Sequence, residues 1–468
     1  MNGPEPAAEA ASPRAAAPPA PGSRTWWASV LPLPTGRAAA LVAVVALAVL
    51  VVPLPAPTAA ALVAGPVGLV LVLVAADGWW APSPWRIAVG RELPAVVTLD
   101  GAAAVVWRVA NPTARRALVA VADELVPSLG AVTRRFRVAL PAGGRTRVAV
   151  PLAPRRRGTF RPTELTVRVV GPLGLGFRQA TRSLPGRIEV HPSFRSRDAA
   201  ELRIRRGRIL EHGLRSVRGR GGGAQFEALR DYVQGDEFRH VDWAATARRG
   251  HPVVRTYRPE RNQTVVVLLD TGRLTAGLVA GVPRLEHGMD ATLALATVAT
   301  RLGDRTGLVA FGADVRAVVP PSRAGDQLRR LSRAMHALEP ELVESSYREA
   351  FQVTLARFRR RALLVLVSEL GAEAVQETLL PALPLVARDH AVIVASVKDP
   401  AVESLRDAAP TTPRDAYRAA GATAVLAARQ RATARLQATG VRVVDAPPGA
   451  LAARLADAYL DVKATGGL

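Results

Sequence analysis

The chain has 468 residues, too many for one ordinary core, and implies two or three domains. Hydrophobic residues make up 49%, which excludes a mainly disordered chain. The net charge of +23 is almost wholly arginine, with Lys398 and Lys463 the only lysines, and cysteine is absent, which removes disulfides, thiolate zinc sites and cysteine nucleophiles. Such a charge is also a nucleic-acid signature. Alanine, proline and arginine are abundant together, however, as in proteins of GC-rich bacterial genomes, so the charge is read as mainly compositional and membrane-proximal in origin.

Residues 1–37 read as a disordered cytoplasmic tail, Ala- and Pro-rich up to Trp26 and Trp27. No charge occurs from Ala38 to Ala76. A span needs about 20 apolar residues, so 38–76 is expected to hold two transmembrane helices, near 38–53 and 58–76, turning at the PLPAP run. Trp79, Trp80 and Trp85 suit an interfacial belt. Arginine on both sides (Arg14, Arg24, Arg37; Arg86, Arg91) places both ends inside, giving a multi-pass protein of the bacterial inner membrane with cytoplasmic soluble domains. Two alternatives stay open: a signal peptide, and one kinked span that would put the body on the other side.

Residues 87–194 change character. Short runs such as AVVWRVA, RRFRVAL and ELTVRVV lie between turn residues and predict a small antiparallel β-sandwich. Residues 195–262 form a basic connector, with Arg203, Arg205, Arg206, Arg208, Arg215, Arg218 and Arg220 ahead of a glycine break at 221–223. From 263 to 465 apolar strands (TVVVLLD, RTGLVAFG, ALLVLVSEL, HAVIVASV, VRVVDA) alternate with helices, which predicts a doubly wound α/β domain with a largely parallel sheet.

Several enzyme classes drop out. A P-loop needs a lysine after glycine, and both lysines here follow valine. HExxH and GxSxG are absent. Gly171, Gly174 and Gly176 match half of a dinucleotide fingerprint, but in a β-rich setting. His240 and Asp242, two apart on a strand, would share a face, with neither nucleophile nor third group evident.

The segment 229–270 interleaves arginines, acids and aromatics. Arg230, Tyr232, Gly235, Asp236, Arg239, Trp243, Ala247 and Arg248, then Arg255, Tyr257 and Glu260, closely resemble the signature of bacterial proteins carrying domain-of-unknown-function 58. The RGTF stretch at 157–160 and the GPLGL stretch at 171–175 agree with that layout. The resemblance implies a von Willebrand A-like α/β domain, a MoxR-type AAA+ ATPase as protein partner, and no enzyme activity. Residues 229–260 then serve either as a docking surface or as a brace between domains.

The von Willebrand A resemblance also implies a divalent-cation site of the form Asp-x-Ser-x-Ser at the end of the first strand, with hard oxygen ligands suited to Mg²⁺. Here Asp270 is followed by Thr271, Gly272, Arg273 and Leu274, so both serine positions are lost, and Ser368-Glu369 stands where Ser-Asp would be usual. A cofactor is therefore not expected, with Mg²⁺ at Asp270 as the exception to test. The overall expectation is a non-catalytic, membrane-anchored adaptor acting in assembly or maturation of other proteins. The alternative is binding of anionic lipid or nucleic acid through the arginines of 195–262. A small-molecule substrate and a specific nucleic acid are not expected.

Overall fold

In the computed structural model the described residues are 31–51, 56–217, 225–233, 238, 241–258 and 263–465. The protein is mixed α/β with several sheets, divided into two compact units, Met1–Val190 and His191–Leu468.

The first unit begins with β1 (Leu33–Pro34), α1 (Gly36–Val51) and α2 (Ala56–Trp80). Both expected segments are helical, and one of them meets the length needed for a span. Among the described residues one helix is long and apolar enough to cross a membrane, over Ala61–Arg86, where mean hydropathy reaches 2.1. The 16 residues of α1 reach about 24 Å, short of a hydrocarbon core of about 30 Å. Composition without charge marked both segments alike, and length separates them.

The GPLGL stretch has a structural reason. Asp77, buried in the last turn of α2, accepts the N–H groups of Leu173 (2.7 Å), Leu175 (2.8 Å) and Gly176 (2.9 Å). A Cβ at Gly171 would lie 2.3 Å from Asp77 Cγ, and one at Gly176 would lie 2.2 Å from the Val74 carbonyl oxygen. Glycine is required because backbone closes directly on a helix end.

The strands that follow are β2 (Ala88–Glu92), β3 (Val96–Thr98), β4 (Ala103–Ala110), β5 (Ala117–Asp123), β6 (Arg135–Leu140), β7 (Arg145–Leu152), β8 (Gly158–Phe160), β9 (Glu164–Val170), β10 (Gly176–Ser183) and β11 (Ile188–His191). They form a five-stranded sheet ordered β1-β10-β9-β5-β6 and two three-stranded sheets, β2-β4-β7 and β3-β11-β8. Alternation sets the faces: Val105, Trp107 and Val109 of β4 meet Val119 and Val121 of β5 and Val167 and Val169 of β9 in one core.

The second unit opens with α3 (Arg197–Val217). The stretch expected to be a connector thus starts as a helix whose Ala200 and Ile204 join the α/β core. Gly207 lets it approach closely, since a Cβ there would meet Leu302 Cδ1 at 2.7 Å. Next come β12 (Gln225–Asp231), α4 (Trp243–Arg249) and β13 (Val253–Arg258), β12 and β13 pairing as an antiparallel ribbon.

The remaining elements are β14 (Thr264–Asp270), a short hairpin β15 (Leu278–Val279) and β16 (Val282–Pro283), α5 (Arg284–Arg301), β17 (Arg305–Phe311), β18 (Val315–Ser322), α6 (Gln327–Met335), α7 (Tyr347–Arg357), β19 (Leu363–Val367), β20 (Ala391–Val397), α8 (Pro400–Asp407), α9 (Pro413–Ala438), β21 (Arg442–Ala446) and α10 (Leu451–Thr465). Between β19 and β20 the helical stretch 372–387 is broken by a π turn, Val375–Leu379, and by prolines at 381 and 384. The six-stranded sheet is ordered β18-β17-β14-β19-β20-β21, and all neighbours pair in parallel except β18. Val265, Val267 and Leu269 of β14 enter one core with α3, α5 and α10, while Val266 and Leu268 enter the other with α7 and α9. Both faces are covered, which is why these strands read as unbroken apolar runs.

Candidate functional site

Open α/β sheets present their ligand face at the carboxyl ends of the strands. Here β14 delivers Asp270 to that edge, 1% exposed. Its Oδ1 accepts the Gly272 N–H (2.8 Å) and the Ser345 hydroxyl (2.5 Å), and its Oδ2 accepts the Ser368 hydroxyl (2.5 Å) and the Tyr347 hydroxyl (3.4 Å). Burial raises the Asp270 pKa above the ordinary carboxylate value, and the hydrogen bonds from Ser345, Ser368 and Gly272 oppose that rise. Burial, followed by the Asp270 charge, also raises the Tyr347 pKa.

The lost serine at 272 has a counterpart elsewhere in the chain. A Cβ on Gly272 would lie 2.0 Å from Ser345 Oγ, so the Ser345 hydroxyl fills the space a side chain there would take. Main-chain bonds fix the loop carrying it: Glu341 N–H to Thr271 O (2.7 Å), Arg273 N–H to Val343 O (2.8 Å) and Ser346 N–H to Gly312 O (2.8 Å). Thr271 turns away, its hydroxyl donating to Phe311 O at 2.9 Å. Leu274 lines the adjoining cleft.

A second network covers the neighbouring strand ends. Arg429 of α9 binds Asp445 of β21 through two nitrogens (both 2.8 Å), donates to Ser396 of β20 (2.8 Å) and pairs with Glu369. Arg284 lies 3.2 Å from the same Glu369 carboxylate. These donors do not suit a Mg²⁺ site. The Asp270 oxygens accept four hydrogen bonds, Glu369 is neutralised by two arginines, and Thr271 is committed to backbone. Among the described residues no group of three or more His, Cys, Asp or Glu side chains could hold a metal ion.

Beside Asp270 lies a shallow cleft of about 30 Å³, lined by Arg273, Glu344, Tyr347, Glu373 and Glu377 among others. That is room for roughly one water. At its rim Arg273 pairs with Glu344 at 2.6 Å. On the same loop Leu342 is 82% exposed and Val343 43%. Main-chain hydrogen bonds thus hold the 341–346 loop against the sheet edge.

Of the signature residues, Arg230 sits in β12 and donates to Asp231 O at 3.1 Å, and Tyr232 stacks on Phe238 at 5.7 Å. Trp243 opens α4 and is 67% exposed, and Ala247 and Arg248 are exposed on the same helix. Arg255 pairs with Leu229, and Tyr257 with Phe226, in the β12–β13 ribbon. Gly235, Asp236, Arg239, His240 and Glu260 lie outside the described residues. Asp242 caps α4, accepting the Ala245 N–H at 2.9 Å, a structural use that competes with a catalytic one. The ribbon is a separate two-stranded sheet from the one that carries Asp270.

Sequence reasoning missed Ser345, Tyr347, Arg429 and Asp445. Ser346 and Glu349 give a helix-start signal, with Ser346 capping α7, but Ser345 reaches Asp270 across 75 positions, which no local pattern encodes. Of the second network only Glu369 was named from the sequence; Asp445, an acid near the end of an apolar strand run, carried a signal that went unused.

Residues 228–442 match the family model described as protein of unknown function DUF58. Uncharacterized proteins of Mycobacterium tuberculosis (strain H37Rv) and Mycobacterium bovis are 29% identical over 204 residues, covering 42% of this chain and 62% of theirs. The chain thus spans less than two thirds of the length of these relatives. Among solved structures, the conserved hypothetical protein BatB from Bacteroides thetaiotaomicron aligns with 44% of this chain and 99% of its own, at 13% identity and a TM-score of 0.28. A CARDB domain from Pyrococcus furiosus aligns with 22% of this chain at 16% identity and a TM-score of 0.16.

Proposed function

Because residues 228–442 of this chain belong to the DUF58 family, we propose that the protein is a non-catalytic, membrane-anchored adaptor whose α/β unit is a von Willebrand A relative that docks a protein partner. The partner is a MoxR-type AAA+ ATPase at the cytoplasmic face of a bacterial inner membrane, and α2 provides the anchor. The observation that carries this reading is the occupied Asp270 site. Where a cation could bridge to a partner's carboxylate, this chain places its own hydroxyls and projects Leu342 and Val343 from the loop they fix. An exposed apolar pair beside charged residues suits a protein contact.

The test is mild-detergent purification of the tagged full-length protein from its host, with mass spectrometry of what accompanies it. Recovery of an AAA+ ATPase, reduced at least tenfold by Leu342→Glu (about 1.4 kcal/mol of binding), is the expected result. Undiminished recovery with that variant removes the strand-end face from the proposal, and recovery of no ATPase removes the partner. The alternative reading, anionic ligands on the arginines of 195–262, is weakened because Arg203 and Arg206 are both engaged by Asp457 of α10.

A further inference from the structure

The outer face of the five-stranded sheet in the first unit carries three arginines, two in one register row and one in the next. Arg137 of β6 lies opposite Ala120 of β5, which lies opposite Arg168 of β9, which lies opposite Gln179 of β10. One row farther on, Arg135 lies opposite Ala122, which lies opposite Thr166. Two small alanines therefore floor an open trough walled by arginine. Strands are about 4.8 Å apart, so Arg137 and Arg168 stand roughly 10 Å from each other at their bases, a spacing that two guanidinium groups can close on one phosphate.

Among the described residues no carboxylate forms an ion pair with these three arginines, and Glu164, on the same face of β9, lies four positions from Arg168. Arg168 donates to the neutral Gln179 (2.9 Å) and lies over the Phe177 ring at 4.0 Å. Burial, then the charges of Arg137 and Arg135, lower its pKa. The acids of this sheet gather at the opposite end, where Glu124 binds the Thr163 and Glu164 N–H groups. Toward α2, the row beyond the arginines is apolar, made of Phe177, Val170, Leu118 (41% exposed) and Ala139. Next comes the glycine loop that holds Asp77. Arg168 is three positions from Gly171, hence within about 10 Å along the strand of the loop at the helix end, comparable with a Debye length of about 8–10 Å.

We propose that this face is a lipid-headgroup site, in which Arg135, Arg137 and Arg168 bind the phosphodiester of an anionic lipid in the membrane that α2 anchors. The proposal rests on the anchor reading above. It explains the gradient along the sheet: apolar beside the helix end, cationic at headgroup depth, acidic beyond.

The test uses the full-length protein in detergent, titrated with phosphatidylglycerol and with phosphatidylcholine and read by native mass spectrometry. The wild type should prefer phosphatidylglycerol. Arg135→Gln with Arg137→Gln, both exposed, should weaken that binding about 30-fold without loss of fold. Ala120→Glu, which sets a carboxylate between Arg137 and Arg168, should do the same with every arginine in place. Equal binding of the two lipids, or wild-type binding in the double variant, overturns the site. Inorganic phosphate displacing the lipid at equal concentration also overturns it, because the ligand is then a soluble anion. Carbonate extraction of host membranes reads the anchor separately. Release of the wild type overturns the anchor and the lipid site together, while retention of a wild type that shows no lipid preference overturns the lipid site alone.

Discussion

Each unit buries an aspartate at the end of a strand, and the two are satisfied in opposite ways. Asp123, ending β5, meets a cation: Arg91 at 2.5 Å, with the Trp107 indole N–H at 2.6 Å on the other oxygen. Asp270, ending β14, meets three hydroxyls and one backbone N–H. The Arg91 side chain is 1% exposed and also donates to the Pro162 and Leu184 carbonyls, so the first arrangement ties several elements of the first unit into one piece. The second carries no compensating charge in direct contact. Its carboxylate is held by polar neighbours, one of which, Ser345, comes from a distant loop that carries the exposed Leu342 and Val343. A charged brace makes a core, whereas a hydroxyl-lined carboxylate positions an exposed segment.

Breaking the brace should have the largest effect. Arg91→Ala leaves Asp123 buried without its cation and should cost about 3–5 kcal/mol, read as a fall in Cm or Tm of the detergent-solubilised protein. Loss under 1 kcal/mol would show that Asp123 is not the strained partner this geometry implies. Asp270→Asn should cost less, about 1–2 kcal/mol near pH 4, and its effect should depend on pH in a defined sense. The folded pKa of Asp270 is raised, so the native state holds its proton to higher pH than the unfolded chain. The wild type therefore loses stability as pH rises from about 3.9 through the raised folded value. The asparagine variant lacks that loss, and the difference between the two should shift in favour of asparagine as pH increases. Asp304, also pushed up by burial, titrates in both proteins and cancels in the difference. Denaturation at a series of pH values checks this, and a pH-independent difference would contradict it.

A third change sharpens the contrast by reversing it. Gly272→Ser with Leu274→Ser restores the Asp-x-Ser-x-Ser pattern and displaces Ser345 from Oδ1. The double variant should be destabilised by about 1–2 kcal/mol and should regain part of that loss in millimolar Mg²⁺, while the wild type should show no Mg²⁺-dependent change in Tm. An equal Mg²⁺ response in both would mean that the native donors suffice.

These cases also show what was legible in the chain. The strand runs of the second unit were readable because both faces of β14 and β19 are covered, which leaves no polar alternation to confuse with anything else. The strands of the first unit were readable from runs such as AVVWRVA, where Val105, Trp107 and Val109 recur at period two. Helix α3 was not, because Arg203, Arg205, Arg206 and Arg208 mask the small stripe of Ala200 and Ile204 that it buries. Asp270 was visible as the last residue of an apolar strand. Its partners were not, since Ser345 and Ser368 lie 75 and 98 positions away and are chosen by the packing of the sheet edge.

The smallest effect on stability is expected at the signature ribbon, and it separates the two readings of that ribbon. Trp107 is fully buried in the core of the first unit, whereas Trp243 is 67% exposed, with Phe238 and Val233 exposed nearby in sequence at 72% and 58%. A tryptophan that braces a core costs several kcal/mol when truncated. Trp243→Ala should instead change unfolding by no more than about 0.5 kcal/mol. Exposed aromatics of this kind contribute most when a partner covers them, so the same variant should weaken capture of the protein partner by about 2 kcal/mol, or roughly 30-fold. If unfolding shifts by several kcal/mol and capture is unchanged, the ribbon is a brace. If capture falls while unfolding stays level, the ribbon is a docking surface in its own right, and the double variant Leu342→Glu with Trp243→Ala then reports whether it and the Asp270 edge engage the same partner: losses that add describe two independent contacts, and losses that do not add describe one shared face.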